Sequence, residues 1–164
     1  MENALKLNSK ISTNSIQFEI EMLQDFYEIT DTEEEVFKSK LHFLIVDDDY
    51  DLVSYIQDCL HIDFENITVV AVSSGEKALN QIGQKIPDVL ITDLSMPEMD
   101  GFQLISEVNR NHGISNLKIL VITGKELSKK EIQLLEKEYI SGLMYKPFDS
   151  EELKKNVQQI LNEI

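Results

Sequence analysis

Five short apolar runs mark out the chain, at 41–46 (LHFLIV), 67–72 (ITVVAV), 89–92 (VLIT), 117–122 (LKILVI) and 142–145 (GLMY). They are rich in β-branched residues and do not alternate strictly between apolar and polar, as expected of parallel strands covered on both faces. Between them the period changes. Leu52, Val53, Ile56, Cys59 and Leu60 recur every three or four residues, and so do Phe102, Ile105 and Val108. The same spacing returns in Leu127, Ile132 and Leu135, and in Leu153, Val157, Ile160 and Leu161. Such spacing gathers apolar side chains on one stripe of a helix. Residues that start helices stand where they should: Ser74, Ser128 with Glu131 as a capping box, and Asp149 or Ser150. Five strands alternating with five helices predict an α/β domain with a parallel sheet and right-handed crossovers.

Sheets of this kind bind ligands beyond the carboxyl ends of their strands, at the point where the strand order reverses. The residues that follow each run are therefore the candidates. Asp47-Asp48-Asp49 follow the first, Asp93 and then Leu94-Ser95-Met96-Pro97 the third, Thr123-Gly124 the fourth, and Lys146-Pro147-Phe148 the fifth. Taken singly, each reads as an ordinary turn, cap or surface residue. Taken together, they do not. Carboxylates gathered on one rim repel each other and raise one another's pKa. A divalent cation offsets that cost, and Mg²⁺ prefers oxygen ligands of this kind. A hydroxyl (Thr123) and an ammonium (Lys146) on the same rim then suit the oxygens of a phosphoryl group, and one carboxylate suits the role of nucleophile. The residues read as a Mg²⁺-dependent phosphoryl-transfer site that forms an aspartyl-phosphate.

Composition narrows the partners. With 15 basic and 30 acidic side chains in 164 residues the net charge is −15, which argues against direct contact with nucleic acid or anionic membranes. No run is long enough for membrane insertion, and the N-terminus lacks the apolar core of a signal peptide. The lone cysteine, Cys59, fits a reducing, cytoplasmic setting. It lies on the apolar stripe of its helix, and the three histidines (His42, His61 and His112) are too dispersed to form a metal site.

Residues 41–164 resemble the receiver domain of bacterial two-component response regulators. The resemblance rests on LIVDDD (44–49), VLITDLSMPEMDG (89–101), ILVITG (119–124) and MYKPF (144–148), in that order. It implies a flavodoxin-like (βα)5 fold, a doubly wound parallel sheet of strand order 2-1-3-4-5. It implies that Asp93 is the phosphoacceptor, served by a phosphohistidine on a histidine kinase or phosphotransfer protein. Asp48 and Asp93 would bind Mg²⁺ directly, with the backbone carbonyl of Ser95, and Asp47 through water. Thr123 and Lys146 would contact the phosphoryl oxygens, with the Lys aimed by a cis Lys146-Pro147 bond. Gly101 and Met96-Pro97 read as scaffold, and Asp49 as a cap or an acid supporting the site.

One position departs from the family, and two others bear on how long the phosphate lasts. The aromatic residue usual three positions before the Lys is replaced by Leu143, and Tyr145, on the same strand face, is a candidate to take over part of its role. The two positions that flank the site and tune phosphate lifetime hold Ser95 and Lys125, neither acidic nor amide-bearing, so slow autodephosphorylation is expected. The chain is expected to be a phosphoacceptor switch rather than an enzyme, signalling through contact with a downstream protein. Because it ends within the fifth helix, no appended output domain is expected. Two other readings are a Mg²⁺-dependent phosphohydrolase with an aspartyl-phosphate intermediate, and a degenerate receiver that acts only as an interaction module. Ser95, where a hydrolase would carry a second acid, speaks against the first; the intact set Asp48, Asp93, Thr123 and Lys146 speaks against the second.

Residues 1–40 form an extension of net charge −5 without Gly or Pro. Ile16, Phe18, Ile20 and Met22 alternate like a strand, while Ile16, Ile20, Leu23 and Tyr27 fit a helix, which Asn14 and the pair Thr32 and Glu35 favour. Docking to a partner, cover for the signalling face, and a homodimer built through residues 1–40 or the last helices are the roles considered, against a disordered acidic tail.

Overall fold

The computed structural model describes residues 40–112 and 116–162, without the side chains of residues 111 and 112. The helix expected within residues 1–40 and the side chain of His112 lie outside the described residues. The elements run β1 (Leu41–Val46), α1 (Tyr50–Asp63), β2 (Ile67–Val72), α2 (Gly75–Gln84), β3 (Val89–Thr92), α3 (Gly101–His112), β4 (Lys118–Thr123), α4 (Lys129–Lys137), β5 (Gly142–Tyr145) and α5 (Ser150–Leu161). All four strand pairings are parallel, in the order β2-β1-β3-β4-β5. This is the flavodoxin-like doubly wound sheet, and its order reverses between β1 and β3.

Two apolar layers hold the helices to the sheet, and the two-residue period of the strands decides which side chain enters which layer. Phe43, Ile45, Val89, Ile91, Leu120, Ile122 and Met144 point to one face, where α1 supplies Ile56 and Leu60 and α5 supplies Leu153, Val157 and Ile160. Leu44, Val46, Leu90, Ile119 and Val121 point to the other, against Ala78 and Ile82 of α2, Leu104, Ile105 and Val108 of α3, and Leu135 of α4. Burying each large side chain is worth roughly 1.5–3 kcal/mol. The central strands β1, β3 and β4 are buried on both faces, whereas the edge strands β2 and β5 are only half-buried over most of their length. Cys59 is buried in the first layer.

β4 begins one residue later than the apolar run suggests, at Lys118, whose N–H donates to the carbonyl of Asp88 and starts the ladder with β3. It therefore ends on Thr123, which pairs with Tyr145. Leu127, expected within a helix, lies just before it. The helix cap is Ser128, whose capping box with Glu131 is complete, and Leu127 and Ile132 occupy the flanking positions of a hydrophobic staple. Ser74 caps α2, and Asp149 rather than Ser150 caps α5. α3 opens with a reciprocal box of its own: Gln103 N–H donates to Asp100 Oδ1 (2.8 Å), and Asp100 N–H donates to Gln103 Oε1 (3.1 Å). Among the described residues no helix is long and apolar enough to cross a membrane.

Candidate functional site

The strand ends converge as the topology requires. Asp47 leaves β1 with its N–H donated to the Val72 carbonyl of β2, and Asp93 leaves β3 with its N–H donated to the Val46 carbonyl of β1. These ladder bonds carry both carboxyl groups to the switch point, where each is buried. Asp48 stands exposed beside them. One carboxylate oxygen from each of Asp47, Asp48 and Asp93 falls in a cluster in which no two are more than 4.8 Å apart. Asp49 is excluded from this cluster because its side chain caps α1, accepting from Asp51 N–H and Leu52 N–H.

Lys146 reaches into the cluster from the end of β5. Its backbone N–H donates to the Thr123 carbonyl, and the Lys146-Pro147 bond is cis. Its ammonium donates to Asp47 Oδ2 at 2.7 Å and to Asp93 Oδ2 at 3.1 Å. The remaining oxygens are also held: Asp47 Oδ1 accepts from Asp49 N–H (2.8 Å) and Asp93 Oδ1 from Leu94 N–H (2.6 Å). Burial pushes the Asp47 carboxyl above the usual aspartate range, against the pull of Lys146. Burial also works against the Lys146 ammonium, but its bonds to Asp47 and Asp93 outweigh this and hold its pKa above the usual lysine value.

Thr123 is fully buried, and its Oγ1 accepts from Lys125 N–H at 3.2 Å. Gly101 is wedged against the turn after β3, where a Cβ would sit 2.1 Å from the Asp93 carbonyl oxygen and 2.8 Å from Leu94 Cα. Only a residue without a side chain lets α3 start this close to Asp93. Leu143 packs half-buried in the layer under α3 and α4, while Tyr145, on the same strand face, is 44% exposed.

Three carboxylates at this spacing form the hard oxygen set that Mg²⁺ takes. The fit rests on the chemistry of the donors, and Lys146 already supplies a positive charge to two of them. A buried carboxylate, an ammonium and a hydroxyl-bearing strand end on one rim are groups that suit phosphoryl transfer to Asp.

The model of the response regulator receiver domain matches residues 43–158. The chain belongs to this family. Among curated relatives, the sensor histidine kinase TmoS of Ectopseudomonas mendocina is 34% identical over 119 residues, which cover 73% of this chain and 12% of the relative. The heme response regulator HssR of Staphylococcus haemolyticus is 31% identical over 122 residues, covering 72% of this chain and 50% of the relative. This chain thus spans half or less of the length of those relatives. Among solved structures, the chemotaxis response regulator CheY4 of Vibrio cholerae matches with a TM-score of 0.66 and 28% identity, over 73% of this chain and 98% of that one.

The receiver brings together the residues singled out from its sequence, Asp47, Asp48, Asp93 and Lys146, and sets Thr123 in register beside Tyr145. Two features lay outside the motifs. A cavity of about 430 Å³ opens next to Asp47 and Asp48, and Tyr50, Gln57, Ser73 and Lys77 line it. They come from α1, the loop after β2 and the start of α2, with no common spacing that could have drawn attention to them. The second is where the side chain of Lys125, already singled out as flanking the site, is held. Its ammonium is not turned to the carboxylates but donates to Glu131 Oε1 at 2.6 Å and lies 6.0 Å from the centre of the Phe102 ring. The capping box pointed to Glu131 only as a partner for Ser128.

Proposed function

We propose that this receiver accepts a phosphoryl group on Asp93 from a phosphohistidine of a histidine kinase or phosphotransfer protein, in a Mg²⁺-dependent reaction, and signals through contact with a downstream protein. The observation that carries this reading is the buried Asp93 carboxylate, set within the acidic cluster and bonded to Lys146 at 3.1 Å. An Asp93 oxygen forms the bond to phosphorus while the bond from phosphorus to the donor nitrogen breaks, and the imidazole leaves with that electron pair. Asp48, Asp93 and the Ser95 carbonyl would hold Mg²⁺, with Asp47 behind a water, and the ion supplies charge neutralisation at the phosphoryl oxygens when bound. Lys146 keeps its proton throughout, because two carboxylates hold its pKa up, and so presents a fixed positive charge to the incoming group. The Thr123 hydroxyl serves as donor to a phosphoryl oxygen once it turns from the Lys125 amide.

The division into an extension (1–40) and a receiver (41–164), action in the cytoplasm and the role of a switch rather than an enzyme belong to the same reading. They draw support from the acidic charge, the lone buried Cys59 and the family match. The test is to incubate the full chain with Mg²⁺ and a small acyl phosphate and weigh it. A stable adduct that is absent from Asp93→Asn supports the receiver. Steady phosphate release without an adduct favours a hydrolase, and no reaction at all favours a module that only binds.

A further inference from the structure

β3 ends on Thr92, whose side chain points away from the rim. It lies level with Val46 and Val121 of the adjoining strands, in the apolar layer beneath α2 and α3, and is 1% exposed. Its hydroxyl donates to the Asp93 carbonyl oxygen at 3.0 Å. That carbonyl and the Leu94 N–H are the two poles of one planar peptide unit, pointing in opposite directions. The N–H pole donates to Asp93 Oδ1 at 2.6 Å. A single rigid unit therefore joins a hydroxyl in the apolar layer to the carboxylate at the rim. Gly101 closes on the same Asp93 carbonyl, and its own N–H donates to the Leu94 carbonyl at 3.2 Å. We propose that Thr92 is a positioning residue for the phosphoacceptor, its hydroxyl setting the orientation of the Asp93 carboxylate through this peptide unit. This rests on the reading of Asp93 as phosphoacceptor.

Packing alone does not call for a hydroxyl here, since Val has the same shape and a buried hydroxyl is costly unless bonded. With Oδ1 held by the Leu94 N–H, Oδ2 is the oxygen turned to Lys146, 3.1 Å from its ammonium. A bond to the carbonyl pole both fixes the tilt of the peptide and strengthens the N–H pole as a donor. Without it the peptide rocks, Oδ1 is held less firmly, and the carboxylate spends less time aligned for attack on phosphorus. A neutral hydrogen bond of this kind converts to a change of about threefold to tenfold in rate.

The experiment uses the full chain in four forms: wild type, Thr92→Val, Thr92→Ala and Thr92→Ser. Val keeps the shape and loses the hydroxyl, Ala loses both, and Ser keeps the hydroxyl. The readouts are the rate of adduct formation with an acyl phosphate at saturating Mg²⁺, the proton resonance of the Leu94 amide before phosphorylation, and the urea midpoint. Thr92→Val and Thr92→Ala are each expected to slow adduct formation about threefold to tenfold and to move the Leu94 amide upfield. Thr92→Ser should stay within about twofold of wild type in rate and keep the amide in place. Stability should run the other way, with Ser below Val, because Ser gives up a buried methyl group that Val keeps. A purely structural role would make the rates follow stability. Wild-type rates in both Val and Ala, a slowing with the Leu94 amide unmoved, or a Ser variant as slow as Val would overturn the proposal. Should Thr92→Val not fold, Ala against Ser decides by the same readouts. If wild type forms no adduct on Asp93, the receiver reading fails and takes this proposal with it; an adduct that forms equally fast in all four proteins removes this proposal alone.

Discussion

Lys146 Nζ stands 2.7 Å from Asp47 Oδ2, across 99 residues of sequence, and is closer to it than to Asp93. The ammonium therefore serves first as the counter-ion of a buried carboxylate that burial is pushing towards its neutral form. This one side chain pairs with two of the three acids on the rim, its single positive charge offsetting part of theirs. A cation that binds there meets a site whose repulsion has already been partly relieved.

Lys146→Met is accordingly expected to destabilise the metal-free protein by about 1–3 kcal/mol, because it leaves a buried acid without its charged partner. Urea unfolding in the presence of a chelator measures this. Mg²⁺ should then restore more stability to the variant than it adds to wild type. The sign with pH follows from the raised pKa. In the chelated wild type, the contribution of Lys146 is present below the ordinary value of 10.5 and is lost as the pH rises through the higher folded value. A variant as stable as wild type without metal would show that the pair contributes nothing.

Two glycines give opposite expectations. At Gly101 an added Cβ meets the backbone of Asp93 and Leu94, which cannot give way as a flexible side chain can. Gly101→Ala should cost about 1–3 kcal/mol, the usual range for overpacking, and slow adduct formation by displacing the acceptor turn. Gly83, exposed in α2, has nothing within 4 Å of an added Cβ. Gly83→Ala should gain about 0.5–1 kcal/mol through helix propensity and leave phosphorylation unchanged. Thermal unfolding of both variants, paired with the mass assay, checks the contrast.

The fold was legible because each of its signals is local. β-branched runs, three- and four-residue stripes and caps such as Ser74 and Ser128 depend on neighbours a few positions away. Asp47, Asp93 and Lys146 were also legible, because the topology places every strand end on one rim whatever the side chains do. Three other features depend on how separate elements meet, and no spacing encodes them. Gly101 matters because a helix start touches Asp93, and Lys125 because Glu131 and Phe102 converge on it from α4 and α3. Asp49 read equally as a cap or as an acid supporting the site, and only the path of α1 decides for the cap.

His42 provides a test by pH. It is buried in β1 at 7% exposure, its ring Nδ1 lacks a hydrogen-bond partner, and its backbone N–H donates to Asp88 Oδ2. Burial first, then repulsion from Lys85, lower its pKa below 6.5, while Asp88 and the Ile86 backbone pull the other way. A depressed histidine binds fewer protons folded than unfolded, so its neutral form supports the fold above about pH 6.5 and that support is lost as the pH falls below it. Chelated wild type should lose stability between pH 7 and pH 5 more steeply than His42→Leu, as read from urea midpoints. Parallel pH curves would mean that His42 protonates in the folded state without cost.

Tyr145 offers the last test. The family's usual aromatic is replaced by Leu143, which is packed half-buried with the layer under α3 and α4 and has no polar group to turn outwards. Tyr145 shares its strand face, pairs with Thr123 across the β4–β5 ladder and is 44% exposed. A movement of Thr123 towards a phosphoryl group would therefore be felt next door at Tyr145, through the strand register rather than through Leu143. We expect Mg²⁺ with beryllofluoride to shift the ring resonances of Tyr145 and leave the Leu143 methyls in place. Tyr145→Ala should keep adduct formation within about twofold of wild type, since an exposed side chain that touches no reacting atom carries little of that barrier. A phosphoryl-mimic complex in which Thr123 engages and Tyr145 stays unmoved would remove the residue from the signalling path. One in which Leu143 moves instead would place the switch back at the family's usual position, without its aromatic ring.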